Sequence, residues 1–267
     1  MTPISIHLKG KVVLLTGAAG YLGSAMAHGF AQAGGMVYLN GRNQSSLHKL
    51  CDEIEASGGQ ASVLSFDVTD SVAVSEALQH IEKKHGRLDV LVNNAYYGKG
   101  GTLEVSTNED FTQSYHIAVT AAAGLIRAAL PLLRRSVDHS TAGASVINVS
   151  SMYGLVSPDL SVYETAQAAN PPFYGAAKAA LLQLTRYTAC ELAKDKIRVN
   201  ALCPGPFPAP AVERDNPAFV DKLAQKVPLG RIGVASEIAG PAVFLASDAA
   251  SYVTGATLPV DGGWTAW

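Results

Sequence analysis

Tyr174 and Lys178 set a phenol and an amine four residues apart in Tyr174-Gly175-Ala176-Ala177-Lys178. On a helix, residues at that spacing share one face, so both side chains can touch the same ligand. A free tyrosine with a pKa near ~10 is only about 0.1% phenolate at pH 7. An ammonium within a few ångströms lowers such a pKa by about 1–3 units, and two units would make about a tenth of the phenol a usable base. The same five residues also read as an alanine-rich helix whose tyrosine packs and whose lysine is solvated. Ser151 stands upstream, in Asn148-Val149-Ser150-Ser151-Met152-Tyr153-Gly154.

The elements that must carry these groups are marked by hydropathy. Val12-Val13-Leu14-Leu15 is the aliphatic run of a strand buried on both faces, and residues 22–33 read as a helix. Between them lies Thr16-Gly17-Ala18-Ala19-Gly20-Tyr21-Leu22-Gly23. A glycine-rich turn there lets the backbone approach a pyrophosphate, whose charge sits at the positive end of the helix. The glycines fall at 17, 20 and 23, which is not the G-x-G-x-x-G spacing, and such turns also serve plain strand-to-helix packing.

Strands are expected at 12–16, 36–40, 61–66, 88–93, 144–150, 196–202 and 256–260, with helices at 22–33, 44–56, 71–85, 108–135, 173–193 and 236–246. This alternation predicts an α/β fold, a doubly wound Rossmann-like parallel sheet of about seven strands with helices on both faces. Ligands in such sheets bind beyond the carboxyl ends of the strands. The long irregular stretches are 152–172 and 204–235. A chain of 267 residues, 48% hydrophobic, fits one domain over 1–267. A net charge of −2 without a strong basic cluster argues against a nucleic-acid partner. The most apolar stretch, 117–133, carries Arg127 and Pro131 and falls short of the ~20 apolar residues of a membrane span. Residues 1–11 lack the apolar core of a leader, and Cys51, Cys190 and Cys203 are too scattered for disulfides or zinc, so a reducing cytoplasm is expected.

Taken in order, these segments resemble the short-chain dehydrogenase/reductase family over nearly the whole chain. The resemblance also rests on Asn93-Asn94-Ala95, on Pro204-Gly205 after a strand, and on the ending Val260-Asp261-Gly262-Gly263-Trp264. It implies hydride transfer between a nicotinamide and a carbonyl or secondary alcohol. Tyr174 is the implied proton donor or acceptor, Lys178 its helper and ligand of the nicotinamide ribose, and Ser151 the donor to the substrate oxygen. Ser150 should point the other way, since side chains alternate along a strand.

The resemblance further implies that Gly17, Gly20, Tyr21 and Leu22 cradle the pyrophosphate and that Asp67 and Val68 border the adenine. Asn93 and Ala95 would flank the cofactor, with Pro204 and Gly205 lining the nicotinamide pocket and Phe207 covering the ring. The second strand ends Tyr38-Leu39-Asn40-Gly41-Arg42-Asn43, with no carboxylate for the ribose hydroxyls of NAD. Arg42 can meet a 2′-phosphate with its planar fork, so NADP is the expected cofactor. The substrate is expected to be a small carbonyl or alcohol compound, a sugar acid or polyol among them, although no fixed cation for an acid can be placed. Relatives commonly assemble as tetramers, and 118–133 and 176–193 could supply such an interface, or equally the core.

The sequence also departs from the family. The 17/20/23 spacing is more usual in extended members that isomerise or dehydrate sugars, which keeps a nicotinamide-holding isomerase open. Ala118 falls where the family has its catalytic asparagine, which leaves room for a weakly catalytic cofactor sensor. Ser114 and Tyr115 share a helix face with Ala118 and could replace the asparagine, whereas His116 should point nearly opposite. Tyr96 stands where glycine is usual. The 22 residues between Ser151 and Tyr174 are several more than usual, and Met152, Tyr153, Tyr163 and Glu164 are expected to touch substrate.

Overall fold

The computed structural model describes residues 6–96, 98–140 and 142–267; residues 1–5, part of the stretch read as carrying no leader, lie outside them. The strands are β1 (Val12–Leu15), β2 (Met36–Leu39), β3 (Gln60–Val63), β4 (Val90–Asn93), β5 (Ala144–Val149), β6 (Ile197–Pro204) and β7 (Thr257–Val260). They form one parallel sheet in the order β3-β2-β1-β4-β5-β6-β7. Every residue of β1, β4, β5 and β6 is buried, as strands covered on both faces must be.

The helices are α1 (Tyr21–Gln32), α2 (Gln44–Ala56), α3 (Ser71–His85), α4 (Asn108–Tyr115), α5 (Ala122–Arg135), α6 (Pro172–Leu192), α7 (Pro210–Asp215), α8 (Pro217–Lys226) and α9 (Ala239–Ala246). On one face of the sheet, Met26 and Phe30 of α1 pack with Val243 and Leu245 of α9. On the other, Leu78 and Ile81 of α3 pack with Leu125 and Leu132 of α5. Side chains that satisfy the first free N–H groups fix the helix starts. Asn43 caps α2, Asp70 caps α3, and Thr107 with Asp110 forms a capping box on α4.

The structure corrects the sequence reading in three places. Residues 204–235 are not an irregular loop, because α7 and α8 lie within them. Pro210 and Pro217 open those helices, where a missing N–H costs nothing, rather than stiffening a coil. The expected helix over 108–135 is interrupted by a π-helical turn, His116–Ala121, between α4 and α5. The helical run Asn108–Asp138 contains an apolar window with a mean hydropathy of 1.6 and so does meet the length and composition of a membrane span. Half of its apolar window is buried within the fold, as in a core helix.

Candidate active site

Residues that follow the carboxyl ends of β1 to β6 converge on a crevice of about 650 Å³, within the usual size of small-molecule sites. Ser151, Tyr174 and Lys178 all line it. A chain of buried amides and hydroxyls indexes α6 against the sheet. Asn93 Nδ2 donates to Asn148 Oδ1 at 2.8 Å, Asn148 Nδ2 to Thr185 Oγ1 at 2.9 Å, and Thr185 Oγ1 to the Leu181 carbonyl at 2.8 Å.

Two glycines then bring Ser151 to the helix. A Cβ on Gly154 would come within 2.9 Å of the Lys178 carbonyl carbon and 3.0 Å of Ser150 Oγ. A Cβ on Gly175 would come within 2.8 Å of the Tyr153 carbonyl oxygen. Only bare backbone allows the turn after β5 to lie this close to α6. Ser150 also lines the crevice, but its hydroxyl is engaged by the helix, donating to the Lys178 carbonyl at 2.9 Å.

The Lys178 ammonium is buried, donates to the Val149 carbonyl at 2.7 Å, and sits 5.6 Å from the centre of the Tyr174 ring. Burial pulls its pKa down to about 8. Burial pushes the Tyr174 phenol up to about 12, while the Ser151 side chain works in the opposite direction. The expected lowering by Lys178 is therefore reversed: desolvation of a phenolate outweighs a cation that is directed at a backbone carbonyl. In this state the pair holds a proton ready to give.

The residues at the amino-terminal half of the crevice fit a dinucleotide. A Cβ on Gly23 would collide with the Gly17 carbonyl oxygen, and Gly17 itself takes φ +62° beside Asn94. Helix α1 has Gly20 at its amino-terminal cap position, with no side-chain cap and no acid in its first turn. Its free N–H groups and positive end are thus left for an anion. Asn94 Nδ2 holds the turn by donating to the carbonyls of Thr16 and Gly17 at 3.1 and 3.0 Å, a role the sequence reading missed.

Gly17, Leu22, Arg42, Asp67, Val68, Ala95, Pro204, Gly205 and Phe207 line the crevice; Gly20, Tyr21 and Asn93 do not. Asp67 is held below the usual carboxylate range, first by the Thr69 N–H and hydroxyl and to a smaller extent by Arg42 and His116. Gly205 lies against Asp261, where a Cβ would come within 2.5 Å. Asp261 in turn accepts from the N–H groups of Gly263 and Thr265, so the Asp-Gly-Gly-Trp ending braces the Pro204-Gly205 wall of the crevice.

The expected substrate contacts are redistributed. Met152, Tyr153, Tyr163 and Glu164 are absent from the lining, whereas Tyr96, Lys99, Gln113, His116, Asn170 and Pro171 belong to it. Met152 packs with Val162, Leu223, Val227 and Trp264, and Tyr153 and Tyr163 join that cluster. His116 points away from Ser114 and Ala118, and it is that face, which also carries Gln113 and Ile117, that meets the crevice. Ser114 is instead buried and donates to the Phe173 carbonyl at 3.2 Å, and Tyr115 is half exposed away from the site. Ala118 is buried beside a void of about 10 Å³ that Thr16 and Asn93 also border.

Comparison with known proteins decides the family. The model described as enoyl-(acyl carrier protein) reductase matches residues 17–265. The chain belongs to the short-chain dehydrogenase/reductase family. Gluconate 5-dehydrogenase of Gluconobacter oxydans is 34% identical over 265 residues, 98% of each chain. The Pseudomonas aeruginosa RhlG/NADP active-site complex superposes with a TM-score of 0.88 at 31% identity, covering 99% of this chain and 100% of that one. A gluconate 5-dehydrogenase from Burkholderia cenocepacia in complex with NADP and tartrate has a TM-score of 0.85 at 28% identity, covering 99% and 98%. As a short-chain dehydrogenase/reductase, the chain is an oxidoreductase that uses a nicotinamide cofactor on a small molecule.

Proposed function

We propose that this short-chain dehydrogenase/reductase is an NADP(H)-dependent enzyme that interconverts a carbonyl compound and its secondary alcohol, a sugar acid or polyol being the favoured substrate class. The carrying observation is the convergence of Ser151, Tyr174 and Lys178 on the crevice that the uncapped start of α1 also faces. NADP(H), when bound, supplies or accepts the hydride. Gly17, Leu22 and the first N–H groups of α1 would hold its pyrophosphate; Gly20 and Tyr21 act by shaping that turn. Asp67 and Val68 would border the adenine, while Asn93 and Ala95 set the floor and Pro204, Gly205 and Phe207 the nicotinamide side.

Arg42 follows β2 directly and lines the crevice, with no carboxylate among residues 40–43. That supports NADP over NAD, since a 2′-phosphate would find a fork of donors and no repelling charge. The NADP-bound relatives support the same cofactor, and the gluconate 5-dehydrogenases support the sugar-acid substrate class.

In reduction, Ser151 donates to the substrate oxygen and stabilises its developing charge, and the Tyr174 phenol delivers the proton. Lys178 keeps a positive charge behind the phenol as the proton leaves. We place the enzyme in the cytoplasm as a homo-oligomer, a tetramer or dimer, consistent with three free cysteines and with exposed Tyr187 and Trp267. The test is turnover of a panel of ketoses and keto acids with NADPH and NADH. The expected result is oxidation of NADPH that Tyr174→Phe abolishes; equal turnover by that variant overturns the proposal.

A further inference from the structure

The crevice contains one cation that neither the cofactor reading nor the proton transfer uses. Arg42 belongs to the β2 end, and Lys178 is committed to the Val149 carbonyl and the Tyr174 ring. Lys99 stands on the segment after β4, three residues beyond Tyr96, whose ring meets that of Tyr174 edge-on with centres 6.4 Å apart. Lys99 and Tyr174 line the same crevice, so one ligand held in it can face both.

Lys99 is held rather than loose. Its Nζ donates to both oxygens of Asp110 at 2.9 Å. Asp110 is buried and also accepts from the N–H and hydroxyl of Thr107 at 2.9 Å as part of the cap on α4. The Lys99 side chain remains 47% exposed and lines the crevice. The backbone on which Lys99 sits is fixed as well. The Gly101 N–H donates to the Ala169 carbonyl at 2.9 Å, and Gly100 lies so close to the Gln167 carbonyl that a Cβ there would collide with it.

The next residue of that partner segment, Asn170, also lines the crevice, and its Oδ1 is buried with no hydrogen-bond partner among the described residues. A buried amide oxygen of this kind calls for a donor, which a ligand hydroxyl can supply. An anchored cation and an unfilled acceptor, both on the substrate side, form a recognition pair for an anion that carries hydroxyl groups.

We propose that Lys99 binds the carboxylate of the substrate and that Asn170 accepts a hydrogen bond from one of its hydroxyls, so that the enzyme selects polyhydroxy acids whose reacting carbon lies several bonds from the carboxylate. This rests on the carbonyl–alcohol reading above. Because Asp110 already fixes the ammonium, little side-chain entropy remains to be lost on binding.

The test is kcat/KM with NADPH for 5-ketogluconate and for fructose, a neutral ketose of equal carbon number, in the wild type, Lys99→Arg and the double variant Lys99→Met/Asp110→Asn. The double variant removes both charges and keeps an acceptor for the Thr107 N–H. The expected result is a wild-type preference for the acid that the double variant reduces by about 10- to 100-fold, mainly through KM, with fructose unchanged and Lys99→Arg largely retained. An acid-to-ketose ratio that is the same in the double variant, or a wild-type preference for fructose, would show that Lys99 and Asp110 are only a strut. Tyr174→Phe in the same assay separates the two proposals: if it leaves turnover unchanged, the underlying reading fails whatever the ratio does.

Discussion

Gly154 and Lys178 touch through bare backbone: a Cβ on the glycine would come within 2.9 Å of the lysine carbonyl carbon. That contact brings the turn that carries Ser151 onto the helix that carries Tyr174 and Lys178. Gly154→Ala should therefore separate the turn from α6. We expect kcat to fall by about 10-fold or more through misplacement of Ser151, with stability lower by about 1–3 kcal/mol from overpacking. Single-turnover rates and urea unfolding would check this; a variant with wild-type values for both would refute the constraint.

Tyr174→Phe removes the proton donor but leaves the ring and its edge-on contact with Tyr96. A loss in kcat of about 10²- to 10⁴-fold is expected, with little change in melting temperature. Circular dichroism alongside steady-state kinetics separates loss of chemistry from loss of fold.

The pH profiles of the two directions should differ. Burial holds the Tyr174 phenol up near about 12, so at neutral pH it is protonated, which is the form that reduction needs and oxidation lacks. Oxidation should rise with pH, approaching tenfold per unit where deprotonation limits the rate, whereas reduction should stay flat through neutrality. Lys178 loses its charge near about 8, so the oxidation profile should bend above that pH as the phenolate loses its supporting cation. An oxidation rate that falls between about pH 6 and 8 would contradict these assignments.

Arg42→Ala should erase the cofactor preference. A charge-assisted hydrogen bond contributes about 1.5–3 kcal/mol, so a wild-type preference for NADPH of about 10- to 100-fold should drop towards unity. Most of the change should appear in KM for NADPH, and NADH kinetics should hardly move. Equal use of both cofactors by the wild type would remove the role given to Arg42.

Ala118→Asn should not rescue a faster enzyme. The void beside Ala118 is about 10 Å³, at the limit for one water and too small for the extra atoms of an amide. The expected outcome is a stability loss of about 1–3 kcal/mol without a gain in kcat. A faster, equally stable variant would show that the helix can make room.

The sheet was readable because each strand is a short aliphatic run and each connection is helical, as Val12–Leu15 and Ala144–Val149 illustrate. The three chemical residues were readable because their spacing on α6 and after β5 is local. What escaped depends on contacts between distant segments. Met152 and Tyr163 looked like substrate contacts because they flank the site in sequence, yet they pack against Leu223 and Trp264 from the far end of the chain. His116 does point away from Ser114 and Ala118, as the periodicity says; it was passed over because the sequence does not tell which face of that helix meets the crevice. Lys99 was not singled out at all, although an acidic residue at the third position of the following helix could have suggested its partner.

The hydrogen bond from Gly101 to Ala169 and the close approach of Gly100 to Gln167 have an evolutionary corollary. They couple the lengths of two connections that lie far apart in the chain, one after β4 and one after β5. Insertions or deletions in either would be tolerated only when matched in the other, so substrate choice in this lineage should change by paired remodelling. A chimera exchanging one connection alone with a relative should lose solubility or activity that exchanging both restores.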